Sequence, residues 1–273
     1  MFMSDEKEGI YNYLRTDKKF PPIWCAGCGN GIVMGSMLRA IAAIGLDKDK
    51  VAVVSGIGCS GRTSTYVDFN TLHTTHGRAL TFATGLKLAR PELTVLVAMG
   101  DGDALAIGGN HFIHAARRNI DLTVIMINNG IYGMTGGQVA PTTPLQGRTQ
   151  TSPYGNLEPP FDVCELARSA GATYVARWTA AHPVQLLRTI KEGIEHPGFT
   201  FIEVMAQCPT QAGRYIEGTS NPGELLSLLK KRAVSLEKAK EASPGEAPLA
   251  FSRETALFFR RLRSSPGFDV PSM

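Results

Sequence analysis

Residues 99–138 read MGDGDALAIGGNHFIHAARRNIDLTVIMINNGIYGMTGGQ, and this stretch decides the fold. An apolar run over 93–99 stops at Gly100, Asp101 and Gly102. A helical stretch follows, and a second apolar run over 122–127 stops at Asn128 and Asn129. Two buried strands joined by a crossover helix belong to a parallel sheet. Their polar turns then share its carboxyl edge, where α/β proteins bind ligands. Asp101 offers a hard carboxylate oxygen and Asn129 a neutral amide oxygen. Such a pair suits Mg²⁺ carrying a diphosphate, because Mg²⁺ wants a near-octahedral oxygen set and takes few of its members from protein. A strand-end aspartate can also cap the next helix. The glycines on both sides of Asp101 and the matched Asn-Asn favour the metal.

Around this core, 273 residues suit one large α/β domain with appendages: a mostly parallel sheet with helices on both faces. The expected division is an N-terminal arm over 1–23, a binding domain over 24–210 and a helical extension over 211–273. Charged residues are 19% of the chain, below the usual ~25%, which fits extensive buried surface, some of it under a partner subunit. The net charge of +4 is too mild and dispersed to argue for nucleic acid. No apolar run approaches the ~20 residues that span a bilayer. The start, MFMSDEKEG, is acidic and lacks the apolar core of a secretory signal, so the cytoplasm is the expected compartment. Five cysteines in that setting point to metal or reduced thiols, not disulfides.

In chain order, Trp24-Cys25-Ala26-Gly27-Cys28-Gly29-Asn30 brings two thiols within reach of one metal centre. Ile32, Val33, Met37, Leu38, Ile41 and Ile44 then repeat at helical spacing up to Gly45. The dipole of that helix favours thiolate at its start. A thioredoxin-like redox pair, or plain buried cysteines, are the alternatives; the former expects a preceding strand, and none is visible. Residues 51–55 read as a strand running into Gly56-Ile57-Gly58-Cys59-Ser60-Gly61, a literal G-x-G-x-x-G. A dinucleotide fingerprint needs a helix after these glycines and an acidic residue about twenty positions on. RTSTYVDFNTLHTTHG supplies neither, with only Asp68 nearby. His73 and His76 lack a helical period that would align them on a metal. His111 and His114 share a helix face and read as packing residues. Residues 79–89 are a helix, and 138–160 are a long periodless loop, which suggests a gate or a subunit contact. Further elements are helices over 161–170, 182–195 and 221–240, strands over 173–176 and 199–205, and a basic helix over 251–263. Cys164 reads as an inert buried thiol.

The strings G-D-G-D, I-G-G-N-H-F-I-H-A-A-R-R-N and N-N-G-I-Y-G-M-T-G-G-Q resemble the β subunit of the 2-oxoacid:ferredoxin oxidoreductases, most of all its 2-oxoglutarate branch. The resemblance runs over about 24–209. It implies thiamine diphosphate (TPP) held through Mg²⁺ by Asp101, Asn129 and the Ile131 carbonyl. It places Ile57, Gly58, Cys59, Ser60, His76, Gly77, Arg78, Gly102 and Asp103 near the diphosphate, and Gly133 and Met134 against the cofactor. It implies a [4Fe–4S] cluster on Cys25, Cys28, Cys59 and Cys208. Four cysteines alone admit Zn²⁺ as readily as a cluster; oxidation of a decarboxylated 2-oxoacid needs an electron exit, which favours iron–sulfur.

The implied reaction converts a 2-oxoacid and coenzyme A to acyl-CoA and CO₂ while reducing ferredoxin, an acidic partner that a basic face would attract. The resemblance also puts the carboxylate that activates the aminopyrimidine ring in an α subunit, so the isolated chain is expected to be inactive. Gly136 stands where some relatives carry lysine, so that position does not report the substrate. Pyruvate or branched-chain oxoacids are the near alternatives. A non-redox TPP decarboxylase or carboligase with zinc, and a nucleotide-binding module on 56–61, are the distant ones.

Overall fold

The computed structural model describes residues 9–18, 20–235 and 250–251. Six parallel strands form its main sheet: β1 (Val51–Ser55), β2 (Asn70–His73), β3 (Thr94–Gly100), β4 (Thr123–Asn128), β5 (Tyr174–Thr179) and β6 (Thr200–Met205). Their spatial order is β2-β1-β3-β4-β6-β5. The chain steps outward from β1 to β2 and then crosses to β3 on the other side. The crevice between β1 and β3 is therefore a switch point, the place where open α/β sheets bind ligands.

Strand residues alternate between two cores because successive side chains leave opposite faces of a sheet. Ala52, Val54, Val124 and Met126 pack under helices α2 (Ala79–Ala89), α3 (Gly109–Arg117) and α4 (Val163–Ser169). Val51, Val53, Ile125 and Ile127 pack under α1 (Gly29–Ile44) and α5 (Pro183–Glu195). Burial on both faces explains why β3 and β4 read as continuous apolar runs. Phe112 of α3 meets Phe199 and Phe201 edge-on, at ring distances of 6.1 and 5.1 Å. Such pairs add roughly 0.5–1.5 kcal/mol each beyond burial.

Register aligns the strand ends. Ser55 pairs with Ala98, Gly100 with Ile127, and Asn128 with Met205. The turns after β1, β3, β4 and β6 thus open at one edge. α1 ends where its sequence says, with Gly45 at φ 74°, a left-handed conformation that glycine adopts without steric cost.

Several expectations need correction. After Cys59 the chain does turn helically, over Ser60–Arg62 and Thr63–Tyr66, and 70–73 is a strand. Nothing in the sequence marks β2, because its exposed edge position leaves its residues without an apolar pattern. The two turns remain far shorter than the helix a dinucleotide fold requires. The crossover after β3 opens with a wide π-helical turn, Asp103–Ile107, before α3. The arm is not extended over 9–18: Tyr13 stacks on Phe69 at 5.3 Å, and the Arg15 guanidinium donates to the Val67 carbonyl at 3.0 Å and Thr71 Oγ1 at 2.6 Å.

The helix expected over 221–240 is α6 (Pro222–Arg232); Ala233 turns extended, and Val234–Ser235 pairs with Ala250–Phe251. The expected basic helix lies outside the described residues beyond Phe251, which is itself in that short strand. Among the described residues no helix is long and apolar enough to cross a membrane.

Candidate active site

A cavity of about 220 Å³ occupies the switch-point crevice. It is lined by Ile57, Gly58, Cys59 and Ser60 after β1, by Gly100, Asp101, Gly102 and Asp103 after β3, and by Asn129, Ile131, Gly133 and Met134 after β4. His76 completes the wall. Gly77 and Arg78 do not line it. The Gly77 N–H donates to Asp103 Oδ1 at 2.7 Å, and Arg78 Nη1 donates to the Ile107 carbonyl at 3.3 Å, holding the π-helical turn.

The two aspartates of G-D-G-D do different work. Asp101 is fully buried, and burial pushes its carboxyl up to about 6, against the pull of hydrogen bonds from the Thr142 hydroxyl and the Gly102 N–H. A carboxylate so placed lacks a positive partner, which a divalent cation supplies. Asp103 grips backbone: Oδ1 accepts from the Gly77 and Ile57 N–H groups and faces His76 Nδ1 at 2.6 Å. Burial still outweighs these bonds and raises its pKa. Its Oδ2 is buried without a partner among the described residues. Asp103 thereby ties the β1 and β3 turns together, and Gly56 is required beside it, since a Cβ there would sit 1.8 Å from Asp103 Oδ2.

The Asn pair also divides. Asn128 is buried and donates to Glu203 Oε1 at 2.7 Å, while its own oxygen accepts from the Gly130 N–H at 3.0 Å. Glu203 is in turn held by Arg177 Nε at 2.5 Å. This buried strut braces the turn and leaves Asn129 on the cavity wall, its Oδ1 accepting from the Ile131 N–H at 3.2 Å. Cys164 is buried beside Glu203 Oε2 at 3.4 Å, an inert position where burial raises its pKa further.

The long loop over 138–160 is strapped onto the turns after β3 and β4. Thr142 bonds Asp101, and Thr143 Oγ1 donates to the Gly130 carbonyl at 2.7 Å. Asn156, buried, donates to the Thr143 and Glu158 carbonyls at 2.9 and 2.8 Å. The strap nevertheless exposes Leu145, Tyr154, Leu157 and Phe161.

The four cysteines meet beyond Gly133. A Cβ on Gly133 would lie 3.5 Å from Cys208 Sγ and 3.8 Å from Cys59 Sγ. Cys28 caps α1, and the Gly29 N–H donates to the Gln207 carbonyl at 3.1 Å, stitching the C-x-x-C loop to the exit of β6. Helix-start geometry does not make Cys28 acidic. Burial wins and raises it, with repulsion from Cys208 and Cys25 adding to the effect. Cys59 is pushed up to about 12 by burial and by the other three sulfurs. Deprotonating such a set for a metal would require the metal's own positive charge to offset the repulsion. Among the described residues no three His, Cys, Asp or Glu side chains are set to hold a single metal ion.

His111 and His114 stand away from this cavity. His111 is half-buried and lowered by burial, Arg78 and His114; His114 is exposed, so a packing role fails for it because α3 turns that face to solvent. Sequence reading overlooked Asn30 and Tyr132, both on the cavity wall, and Thr142. The Tyr132 hydroxyl donates to the Gly102 carbonyl at 3.1 Å, and a Cβ on Gly102 would meet its ring at 2.4 Å. Tyr132 lay inside the quoted string; Thr142 sits in a stretch with no period to mark it.

Residues 56–204 match the family model of the thiamine pyrophosphate enzyme C-terminal TPP-binding domain. The 2-oxoglutarate synthase subunit KorB of Methanocaldococcus jannaschii is 56% identical over 86% of this chain and 86% of its own length. That of Archaeoglobus fulgidus is 60% identical over 81% and 79%. The structure of 2-oxoglutarate:ferredoxin oxidoreductase from Magnetococcus marinus, with 2-oxoglutarate, coenzyme A and succinyl-CoA bound, superposes with a TM-score of 0.78 at 34% identity, covering 95% of this chain and 92% of that one. With a TPP-type cavity at the switch point and four cysteines against its wall, the chain belongs to the TPP-binding β subunits of the 2-oxoacid:ferredoxin oxidoreductases.

Proposed function

We propose that this chain is the β subunit of an enzyme that converts 2-oxoglutarate and coenzyme A to succinyl-CoA and CO₂ and passes two electrons to ferredoxin. The observation that carries the reading is the shared wall at Gly133, with the turns after β3 and β4 on one side and the thiols of Cys59 and Cys208 on the other. When bound, TPP supplies the electron sink for decarboxylation and a [4Fe–4S] cluster the one-electron exit.

The chain's own residues hold and orient. Asp101, Asn129 and the Ile131 carbonyl present oxygens to Mg²⁺. Ile57, Gly58, Ser60, Gly102 and Asp103 surround the diphosphate, with His76 beside them and Gly77 and Arg78 bracing that turn from behind. Met134 gives an apolar wall and Gly133 close approach. Cys25, Cys28, Cys59 and Cys208 are the cluster ligands. Residues 24–210 are the binding unit between the arm and the C-terminal extension.

An α subunit covers the cavity and supplies the activating carboxylate, and the exposed apolar residues of the strap form part of that contact. Thiols that must stay reduced fit a cytoplasmic site. The 2-oxoglutarate assignment is supported by the named relatives.

An anaerobic analysis of iron, sulfide and zinc, on the chain purified with its partner subunit, tests this reading. About four irons and four sulfides, with a visible band bleached by 2-oxoglutarate plus coenzyme A and not by pyruvate, is the expected result. One zinc and no colour would move the assignment to a non-redox TPP enzyme.

A further inference from the structure

Asn30 stands between the two halves of the site. It is the second residue of α1, two places beyond Cys28, and only 2% exposed. Its Nδ2 donates to Cys28 Sγ at 3.2 Å. Its side chain also lines the cofactor cavity with Asp101, Asn129 and Gly133. Its Oδ1 is buried and accepts no hydrogen bond from the described residues.

Burying an amide with one end unsatisfied is unfavourable. Leucine has the same branched side-chain skeleton and would leave no orphan oxygen, and asparagine is a weak helix former. What Asn30 adds over leucine is a donor aimed at sulfur. A metal-bound thiolate only accepts hydrogen bonds, so the amide nitrogen, not the oxygen, faces Cys28.

We propose that Asn30 tunes the reduction potential of the cluster from the cofactor side, through its N–H···S bond to Cys28. The inference rests on the cluster reading. A hydrogen bond to a ligand sulfur offsets the negative charge that the cluster gains on reduction, so the donor stabilises the reduced state. Asn30 is a positioning residue here: it acts through Cys28 and holds that sulfur toward the cavity that delivers the electrons.

The test is a redox titration of the anaerobically purified complex, followed by electron paramagnetic resonance, for wild type, Asn30→Leu and Asn30→Asp. Asn30→Leu removes the donor while keeping the branched side-chain skeleton. Asn30→Asp also removes it and places negative charge by the sulfur. The reduced-to-oxidised ratio at a fixed poise near the midpoint is expected to fall about tenfold in Asn30→Leu, equivalent to about 59 mV for one electron. It is expected to fall further in Asn30→Asp, with iron content unchanged in both. An unshifted potential with full iron in both variants would overturn the proposal. Loss of iron from both would overturn it as well, because Asn30 would then be holding the loop together and not tuning the sulfur. Zinc in place of iron in the wild type would instead sink the cluster reading beneath it.

Discussion

On one wall of the cavity, Asp101 and Asn129 are held by the fold itself. Thr142 bonds Asp101, Thr143 bonds the Gly130 carbonyl, Asp103 binds the Ile57 and Gly77 N–H groups, and the Arg177–Glu203–Asn128 strut braces the β4 turn from below. On the other wall, Cys25, Cys28, Cys59 and Cys208 come from three loops. Cys25 accepts from Thr210 at 2.8 Å and Cys28 from Asn30, and burial and mutual repulsion oppose ionisation of Cys28 and Cys59. The contrast is between a preorganised oxygen wall and a sulfur wall in which burial opposes ionisation of Cys28 and Cys59. One edge of a sheet thus presents two kinds of surface: the strand ends supply braced oxygen-bearing turns, and the loops beyond them supply sulfurs.

The sharpest way to break that contrast is to remove one wall at a time. Cys208→Ser in the complex with its partner should drop iron from about four per chain toward zero, while TPP binding measured by calorimetry stays near wild type. Joint loss of both would show that the metal turns are not independent of the cysteines. Asp101→Ala should do the reverse. Iron content should persist, and Mg²⁺-dependent TPP affinity should fall by more than about a hundredfold, beyond the range for losing only a ligand's hydrogen-bond partner.

A smaller effect probes the strap. Thr142→Val deletes the hydroxyl on Asp101 and should weaken Mg²⁺ by about tenfold, with Thr142→Ser restoring it. Equal Mg²⁺ affinity in Thr142→Val and wild type would mean that the loop merely covers the site.

The smallest effect is one of pH. Asp101 sits at about 6 in the folded chain against 3.8 as a free side chain. Between those values the folded state holds a proton that the unfolded state has lost, so this group's contribution to stability falls as pH rises through the window. Mg²⁺ must displace that proton. Its apparent affinity should be flat above pH 7, fall about twofold by pH 6, and then lose about tenfold per unit below. A Mg²⁺ titration across pH 5–8 reads this directly; no change down to pH 5 would remove Asp101 from the metal set.

Much of this was legible beforehand because apolar runs and glycine punctuation are local. Residues 51–55 and 79–89 were read with the bounds of β1 and α2, and the G-D-G and N-N turns were placed at the ends of β3 and β4. Reading failed where burial is one-sided or long-range. Strand β2 lies at the sheet edge with mostly exposed residues, so it carried no pattern. α6 was overextended because an amphipathic pattern does not say where a chain will leave the helix to pair.

The sequence by itself determined the parallel crossover, the polar turns at two strand ends and the inventory of thiols, because each is a matter of residue type at short spacing. Only the tertiary structure decided that, of the two aspartates on the cavity wall, Asp103 is the one that ties the turns together. It likewise decided which asparagine is a strut, and that Asn30, Tyr132 and Thr142 belong to the site. Apart from the local bond of Asn30 to Cys28, these roles depend on hydrogen bonds between residues 26 to 75 positions apart, and partners at that range leave no trace in local periodicity.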